Sequence, residues 1–596
     1  MTNIRKRTAG HTVLMLMAAL TFLCSVSLSK AQQPSNGAAK PTTTPADEGL
    51  PVKDPLVQQK CGACHQADAK GNLSRISYVR TTPEGWEEAI KRMIRLNGLQ
   101  LSPDEARYIL RYLSDRHGLA PDEAKKTEYF VEHRMIDETP IPEIDGPCGS
   151  CHATAKPLSW RRTGDDWKLL KNMHIAFFPS AENTSFSGNQ NRLGQTPGGQ
   201  GGGGRGEQNA RTGPDGKPIR PVDDAIAWLA KSEPLHTPEW ANWETMIQQP
   251  KLEGVWFVSG KAPGKGSFHG KVTIKATETP GNFTTETSVT YLGGETYTAK
   301  GASIVYTGYA WRGRSEAQSS AAGVGTPSKV REVMMLSRDG SKLEGRWFWG
   351  TYEEFGMDIT MTRDVGAPAL LDISVASLKA GTSGAKVTIY GQNLPTSITP
   401  VGIDLGSGIT VTAAESKADS IALTVNVAAD AIPGKRAVTV NGLVLPSAIA
   451  VYDHIDFLKV TPETSLSRLG DEPHAKGYAQ FEAEAYAFGP DGKAMTADDI
   501  PLGVVPATWK LEEFVASYGD DDVDFVGKLD SKTGFFTPAS DGPNPKRRSM
   551  RNNYGDVWVV ATYTPEGQSK PVTGRSYMVV SVPQYIQYDQ PEVAGK

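Results

Sequence analysis

The chain has 596 residues, roughly four times the ~150 residues of an average domain, so three to five units are expected. Its 63 basic and 67 acidic residues nearly cancel, leaving a formal net charge of −4. That excludes a nucleic-acid binder held by bulk positive charge. Hydrophobic residues make up 38%, too few for a polytopic membrane protein, and five cysteines are too few for a disulfide scaffold.

Arg5, Lys6 and Arg7 precede an apolar stretch from Thr12 to Leu28, and Ser29-Lys30-Ala31 then offers small residues for cleavage. This charged, apolar, small-residue order reads as a signal peptide over residues 1–31, cleaved near Ala31, and implies a periplasmic protein. A transmembrane anchor is the competing reading. The stretch is short for a span, and no second apolar span follows. Cys24 suits a lipoprotein site poorly, because Leu23 before it is bulky. Residues 32–50 are small, polar and Pro-containing, and read as a flexible leader.

The cysteines left after processing are Cys61, Cys64, Cys148 and Cys151. They lie in Cys61-Gly62-Ala63-Cys64-His65 and Cys148-Gly149-Ser150-Cys151-His152, two copies of the c-type haem attachment pattern C-x-x-C-H. Two thiols on one helical turn add to the two vinyl groups of a porphyrin, and the next residue sets an imidazole under the iron. A thioredoxin-like site lacks its βαβ context here. A zinc site makes both histidines coincidental, and short-range disulfides remain open in an oxidising compartment. Two covalent haems c are expected, with His65 and His152 as proximal ligands.

Asp54-Pro55, Thr82-Pro83 and the capping box Ser102-Pro103-Asp104-Glu105 open three helices, the last with Tyr108, Tyr112 and Leu113 on its apolar side. The middle one carries Trp86, Ile90 and Met93 on one face, which makes Met93 the candidate sixth ligand of the first haem. Ordinary core packing of Met93 is the bland alternative, and His117 is a rival ligand. The second motif repeats the layout: Arg80 to Trp86 compares with Arg162 to Trp167, each with a threonine cap, acids and a tryptophan. Seven residues past Trp86 lies Met93, and seven past Trp167 lies His174. His174 is therefore the candidate ligand of the second haem, with Met173 as the alternative. Unlike ligation predicts unlike potentials, and electrons running from the second haem to the first.

Residues 194–216 form a Gly-rich loop with no phosphate-binding signature. Asp223 to Lys231 reads as a helix that closes the haem region near Pro234. From about His236 to Asp364 the pattern turns to period two. Leu252-Glu253-Gly254-Val255-Trp256-Phe257 recurs as Leu343-Glu344-Gly345-Arg346-Trp347-Phe348, so a closed or nearly closed antiparallel barrel is expected, its tryptophans in the core. Short strands at regular spacing predict one β-sandwich to Tyr452 and a second beyond it. Asp520 to Asp524 reads as a solvated acidic loop, without EF-hand spacing.

The fold class is therefore multidomain. A leader ends at residue 50, an all-α dihaem cytochrome c domain spans 51–234, an antiparallel β-barrel 235–365, and two immunoglobulin-like sandwiches 366–452 and 453–596.

Several of these segments together resemble the haem-bearing alpha subunit of quinohemoprotein amine dehydrogenase. They are the two C-x-x-C-H motifs, Trp86 to Met93 with Leu99-Gln100-Leu101-Ser102 after it, Trp167 to Pro179 around His174, and His236-Thr237-Pro238-Glu239. Ile304-Val305-Tyr306-Thr307-Gly308-Tyr309 and Gly345-Arg346-Trp347-Phe348 complete the set. The resemblance covers nearly the whole mature chain and departs most at 194–216, which looks like an insertion. It implies an electron-transfer subunit that does not itself oxidise the amine. A small partner subunit would carry cysteine tryptophylquinone, another would be a β-propeller, and a soluble periplasmic cytochrome c or copper protein would accept the electrons. The competing classes are a free-standing dihaem or peroxidase-like redox protein, which wants an open iron position, and an adhesion protein dominated by its sandwiches.

Overall fold

The computed structural model describes residues 48–127, 141–149, 152–187, 220–318, 325–515 and 520–583. The apolar N-terminal stretch, most of the leader, the loop 194–216 and Cys151 lie outside them.

Helix α1 (Pro55–Cys61) starts on Asp54, whose carboxylate accepts the Val57 N–H at 2.9 Å, with Pro55 at the first position. Helix α2 (Pro83–Asn97) is capped by Thr82, whose hydroxyl accepts the Gly85 N–H at 3.3 Å. It stops where Gly98 takes φ 72°, a left-handed turn that glycine enters without a Cβ clash. Helix α3 (Pro103–Arg116) opens on the expected reciprocal Ser102–Glu105 capping box. Its inward face differs from expectation. Ile109, Leu110 and Leu113 are buried, whereas Tyr108 is exposed and donates to Asp54 at 2.7 Å. The phenol ties α3 to the cap of α1 instead of filling the core. Helix α4 (Gly164–Phe177) follows Thr163, whose hydroxyl accepts the Asp166 N–H at 3.3 Å. Helix α5 spans Pro221–Ser232.

This region is not built from helices alone. Strands β1 (Val79–Thr81) and β2 (Trp160–Arg162) pair antiparallel, Arg80 opposite Arg161. Each strand runs straight into a threonine cap and then into α2 or α4. Three residues are too few to show period-two alternation, which is why the sequence reads as all-α here. Counted from the caps, Arg80 corresponds to Arg161, Trp86 to Trp167, and Met93 to His174. The Arg80–Arg161 pair is thus an approximate two-fold axis between the two strand–cap–helix units. The repeated arginine is Arg161, one residue earlier than the Arg162 that plain sequence comparison selects.

Both axial arginines are buried and converge on Glu123. Arg80 donates to its two oxygens at 2.8 and 2.9 Å, and Arg161 Nε donates at 3.2 Å. Burial alone would raise the Glu123 pKa, but the guanidinium groups outweigh it and bring it to about 2. Thr237 adds a hydroxyl donor at 2.8 Å, and Arg161 also pairs with Glu233 at 2.7 Å. Two buried cations are thereby matched by two buried carboxylates.

Residues Pro238–Glu244 form a helix, α6, where period-two alternation is expected. The barrel follows as β3 (Gly254–Ala262), β4 (Gly266–Ala276), β5 (Asn282–Tyr291), β6 (Thr296–Tyr306), β7 (Ala310–Ala317), β8 (Lys329–Leu336), β9 (Lys342–Trp349) and β10 (Phe355–Arg363). Each strand pairs antiparallel with the next, and β10 closes onto β3. The two repeated phrases fall on β3 and β9, which β10 separates. Their tryptophans, Trp256 and Trp347, are buried inside the barrel as expected.

Residues 369–452 form two four-stranded sheets around Val387, Ile389, Leu423, Val438 and Val451. Residues 457–581 form one four-stranded and two three-stranded sheets around Phe481, Phe536, Val559 and Met578. The acidic stretch near 520 is engaged by cations rather than freely solvated: Asp521 and Asp522 pair with Arg547, itself fully buried.

The helical region docks on the barrel through buried polar contacts. Glu84, in the first turn of α2, accepts from Arg312 on β7 and from Arg331 on β8. The β6–β7 turn, Thr307-Gly308, has positive φ at both residues, as a tight hairpin requires. It places the Thr307 N–H on Asp115 at 2.6 Å and the Thr307 hydroxyl on the Ser114 carbonyl at 2.9 Å. The segment Ile304–Tyr309 is therefore a docking turn against α3.

Candidate haem sites

The first motif forms one turn continuous with α1. The N–H groups of Cys64 and His65 both donate to the Cys61 carbonyl, at 3.2 and 2.9 Å. That folds the two sulfurs and the imidazole onto a single turn. Cys61 and Cys64 are free thiols. Burial, with Cys64 adding, pushes the Cys61 thiol up to about 11.

His65 Nδ1 lies 2.8 Å from the Ser74 carbonyl. A carbonyl only accepts, so in the neutral ring Nδ1 carries the proton and the Nε2 lone pair is left for a metal. The same logic applies to His174, whose Nδ1 faces the Leu170 carbonyl at 2.9 Å. In His152, Nδ1 faces the Ala153 carbonyl at 3.1 Å. Backbone acceptors that fix the tautomer and turn of a ligating imidazole are the usual outer shell of a metal site. Sequence reasoning found the three imidazoles but not Ser74, Leu170 and Ala153, because a main-chain oxygen leaves no residue signal.

The structure brings His152 and His174 together. Burial lowers the His152 pKa, and Lys156 and His174 are close enough to lower it further. His174 also packs against Phe186, with ring centroids 6.2 Å apart. Met173 is half-buried beside it. Met93 sits half-buried on α2, one turn beyond the buried Ile90 and two beyond the buried Trp86. The rival His117 is 1% exposed. Its ring packs edge-on to Trp86 at 6.1 Å, its buried Nδ1 has no hydrogen-bond partner among the described residues, and burial with nearby Arg80 lowers its pKa to about 4.

Two ion pairs cross between the units. Glu88 on α2 pairs with Lys156, just after His152. Asp166 on α4 accepts from Arg75, just after Ser74, at 2.7 Å. The helix facing each motif is thus fastened to the loop of the other.

The residues fit a haem. They supply the Cys61–Cys64 sulfur pair and Cys148, imidazoles whose Nε2 is left for a metal, and exposed apolar side chains for a porphyrin to cover, namely Ile94 and Leu96 on α2 and Phe177 on α4. Among the described residues, no group of three or more His, Cys, Asp or Glu is placed to hold a bare metal ion. No helix among them is long and apolar enough to cross a membrane.

A two-fold pair of helical units with imidazole sites, set on a β-barrel and further β-sheets, defines a multidomain haem protein. Residues 52–195 match the haem-binding part of quinohemoprotein amine dehydrogenase alpha subunit. Residues 249–364 match its domain II, 367–453 its domain III and 458–593 its domain IV. The chain belongs to the quinohemoprotein amine dehydrogenase alpha subunit family, and so is a subunit of an amine dehydrogenase, a multi-subunit oxidoreductase. No curated protein matches it. Among solved structures, a redesigned beta barrel, mFAP1, bound to DFHBI is 13% identical, covering 19% of this chain and 94% of its own, with a TM-score of 0.16. Mouse protocadherin-24 EC1-3 is 14% identical, covering 35% of this chain and 61% of its own, with a TM-score of 0.15.

Proposed function

We propose that this chain relays electrons through two covalent haems c, from a quinone on a partner subunit to a soluble acceptor. Cys61 and Cys64 hold the first haem, with His65 and Met93 as axial ligands. Cys148 and Cys151 hold the second, with His152 and His174. Bound haem supplies one-electron redox chemistry at iron. The chain's own residues fix each imidazole by its carbonyl partner and tie the two sites together through Glu88–Lys156 and Arg75–Asp166. The observation that carries the reading is the two-fold equivalence of Met93 and His174, each eleven residues past a threonine cap. His117, 1% exposed and packed against Trp86, supports Met93 over its rival.

The resemblance adds the setting. The quinone is cysteine tryptophylquinone on a small subunit, a β-propeller subunit completes the assembly, and a periplasmic cytochrome c or copper protein takes the electrons. The chain is exported by a signal peptide cleaved near Ala31. Its domains follow the bounds 51–234, 235–365, 366–452 and 453–596, the last two immunoglobulin-like.

Purification from the native source is expected to bring along a small quinone-staining polypeptide. Redox titration is expected to give two unlike potentials and a near-red sulfur-to-iron band. A chain that emerges alone with both haems sinks the complex, and equal potentials without that band sink the ligand assignment.

A further inference from the structure

Between the two units lies an excess of positive charge, of which Arg162 is buried and Arg75 and Arg92 are half-buried. Arg75 directly follows Ser74, the carbonyl partner of His65. Arg92 directly precedes Met93 on α2, and Arg162 ends β2. The three guanidinium groups lie close enough to repel one another. Carboxylates are fewer. Asp166 serves both Arg75 and Arg162, and Glu88 is engaged by Lys156. Arg92 has no ion-pair partner among the described residues, and its buried Nε has no hydrogen-bond partner among them. Arg162, 5% exposed, likewise has an unpartnered Nε and stacks on Trp160 at 4.4 Å. Arg162 is matched by Asp166, whereas half-buried Arg92 feels only the nearby Glu88, which Lys156 already engages, so its guanidinium can take a further anion.

We propose that Arg92, backed by Arg75, receives a propionate carboxylate of the haem held at Cys61–His65, on the side that faces the second unit. The inference rests on the covalent-haem reading above. A guanidinium fork matches a carboxylate, and the propionates are the anionic groups a haem brings. Both arginines adjoin residues that orient this haem: Ser74 fixes the proximal imidazole, and Met93 is the distal ligand. A fixed cation beside a porphyrin favours the less positive, reduced iron, so Arg92 raises the potential of the first haem. Arg75 links the same spot through Asp166 to the helix that carries His174.

The test uses the full chain matured with covalent haem and compares Arg92→Gln, Arg92→Lys and Arg95→Gln on the exposed side of α2. In Arg92→Gln, one midpoint potential is expected to fall, changing that haem's oxidised-to-reduced ratio about tenfold at fixed poise. The haem propionate bands in resonance Raman spectra shift with it. Arg92→Lys keeps most of the wild-type potential, and Arg95→Gln moves neither haem. Loss of the first haem from Arg92→Gln but not from Arg92→Lys also supports an ionic anchor. Unchanged potentials in Arg92→Gln with both haems retained overturn the inference and leave the covalent-haem reading standing. Equal haem loss in both Arg92 variants assigns the residue to packing and overturns it as well. A wild-type chain that carries no covalent haem overturns the reading beneath it.

Discussion

His65, His152 and His174 each set Nδ1 against a backbone carbonyl. The motif spacing makes the first two legible, and helical periodicity makes the third. What orients them is not legible, because Ser74, Leu170 and Ala153 act through main-chain oxygen. Arg92 is invisible for a different reason: an arginine on an amphipathic helix reads as a solvated face until its half-burial and unpartnered Nε are known. On the proposed ligation, Met93→His is expected to abolish the near-red band and lower the potential of the first haem. Met173→Leu leaves the spectrum of both haems unchanged. Loss of an axial signal in Met173→Leu, seen in the same absorption spectra, reverses the choice of His174.

Helix α2 is fixed at its first turn, and this positions the face that carries Met93. Thr82 caps it, and Glu84 pins it to Arg312 and Arg331 of the barrel. The caps were readable, since threonine followed by proline or acids at a helix start has a local cause. The Glu84 partners lie more than two hundred residues away in sequence, where no local pattern reaches. The β1–β2 ribbon escaped for its shortness, and with it the true equivalence of Arg80 and Arg161. Glu84→Ala leaves two buried guanidinium groups without their shared carboxylate and is expected to cost about 3–5 kcal/mol in urea unfolding. Thr82→Ala, which removes only a cap, costs about 1 kcal/mol by the same measurement. Equal losses in the two variants contradict the docking role given to Glu84.

Across the whole molecule, the barrel was legible because its strands run eight to eleven residues with steady alternation. The later sheets were legible only in outline, since strands such as Ile403–Asp404 and Ala479–Gln480 are too short to carry a period. Buried titrating groups at the helical–barrel junction set the response to acid. Burial together with nearby Arg80 holds His117 at about 4, so the unfolded chain binds its proton first, near 6.5. Stability is therefore lost as pH falls from about 6.5 to about 4. Burial opposes ionisation of Glu84 and Glu123, but their arginine partners prevail and hold both near 2. Their contribution is present above the usual carboxylate pKa and is lost as pH falls from about 4.5 to about 2. Urea midpoints measured against pH should thus decline in two stages. His117→Gln should flatten the upper stage and Glu84→Gln part of the lower; a single-stage decline unaffected by either variant refutes the assignment.

The Arg80 clamp also dictates an order of events during synthesis. Its Nε donates at 2.7 Å to the Leu235 carbonyl, 155 residues further along the chain, and Nη2 donates to Thr237 beyond that. A growing chain presents Cys61 and Cys64 long before these partners exist. On the covalent-haem reading proposed above, the first motif is thus open to thioether formation before the two-fold core can close around it.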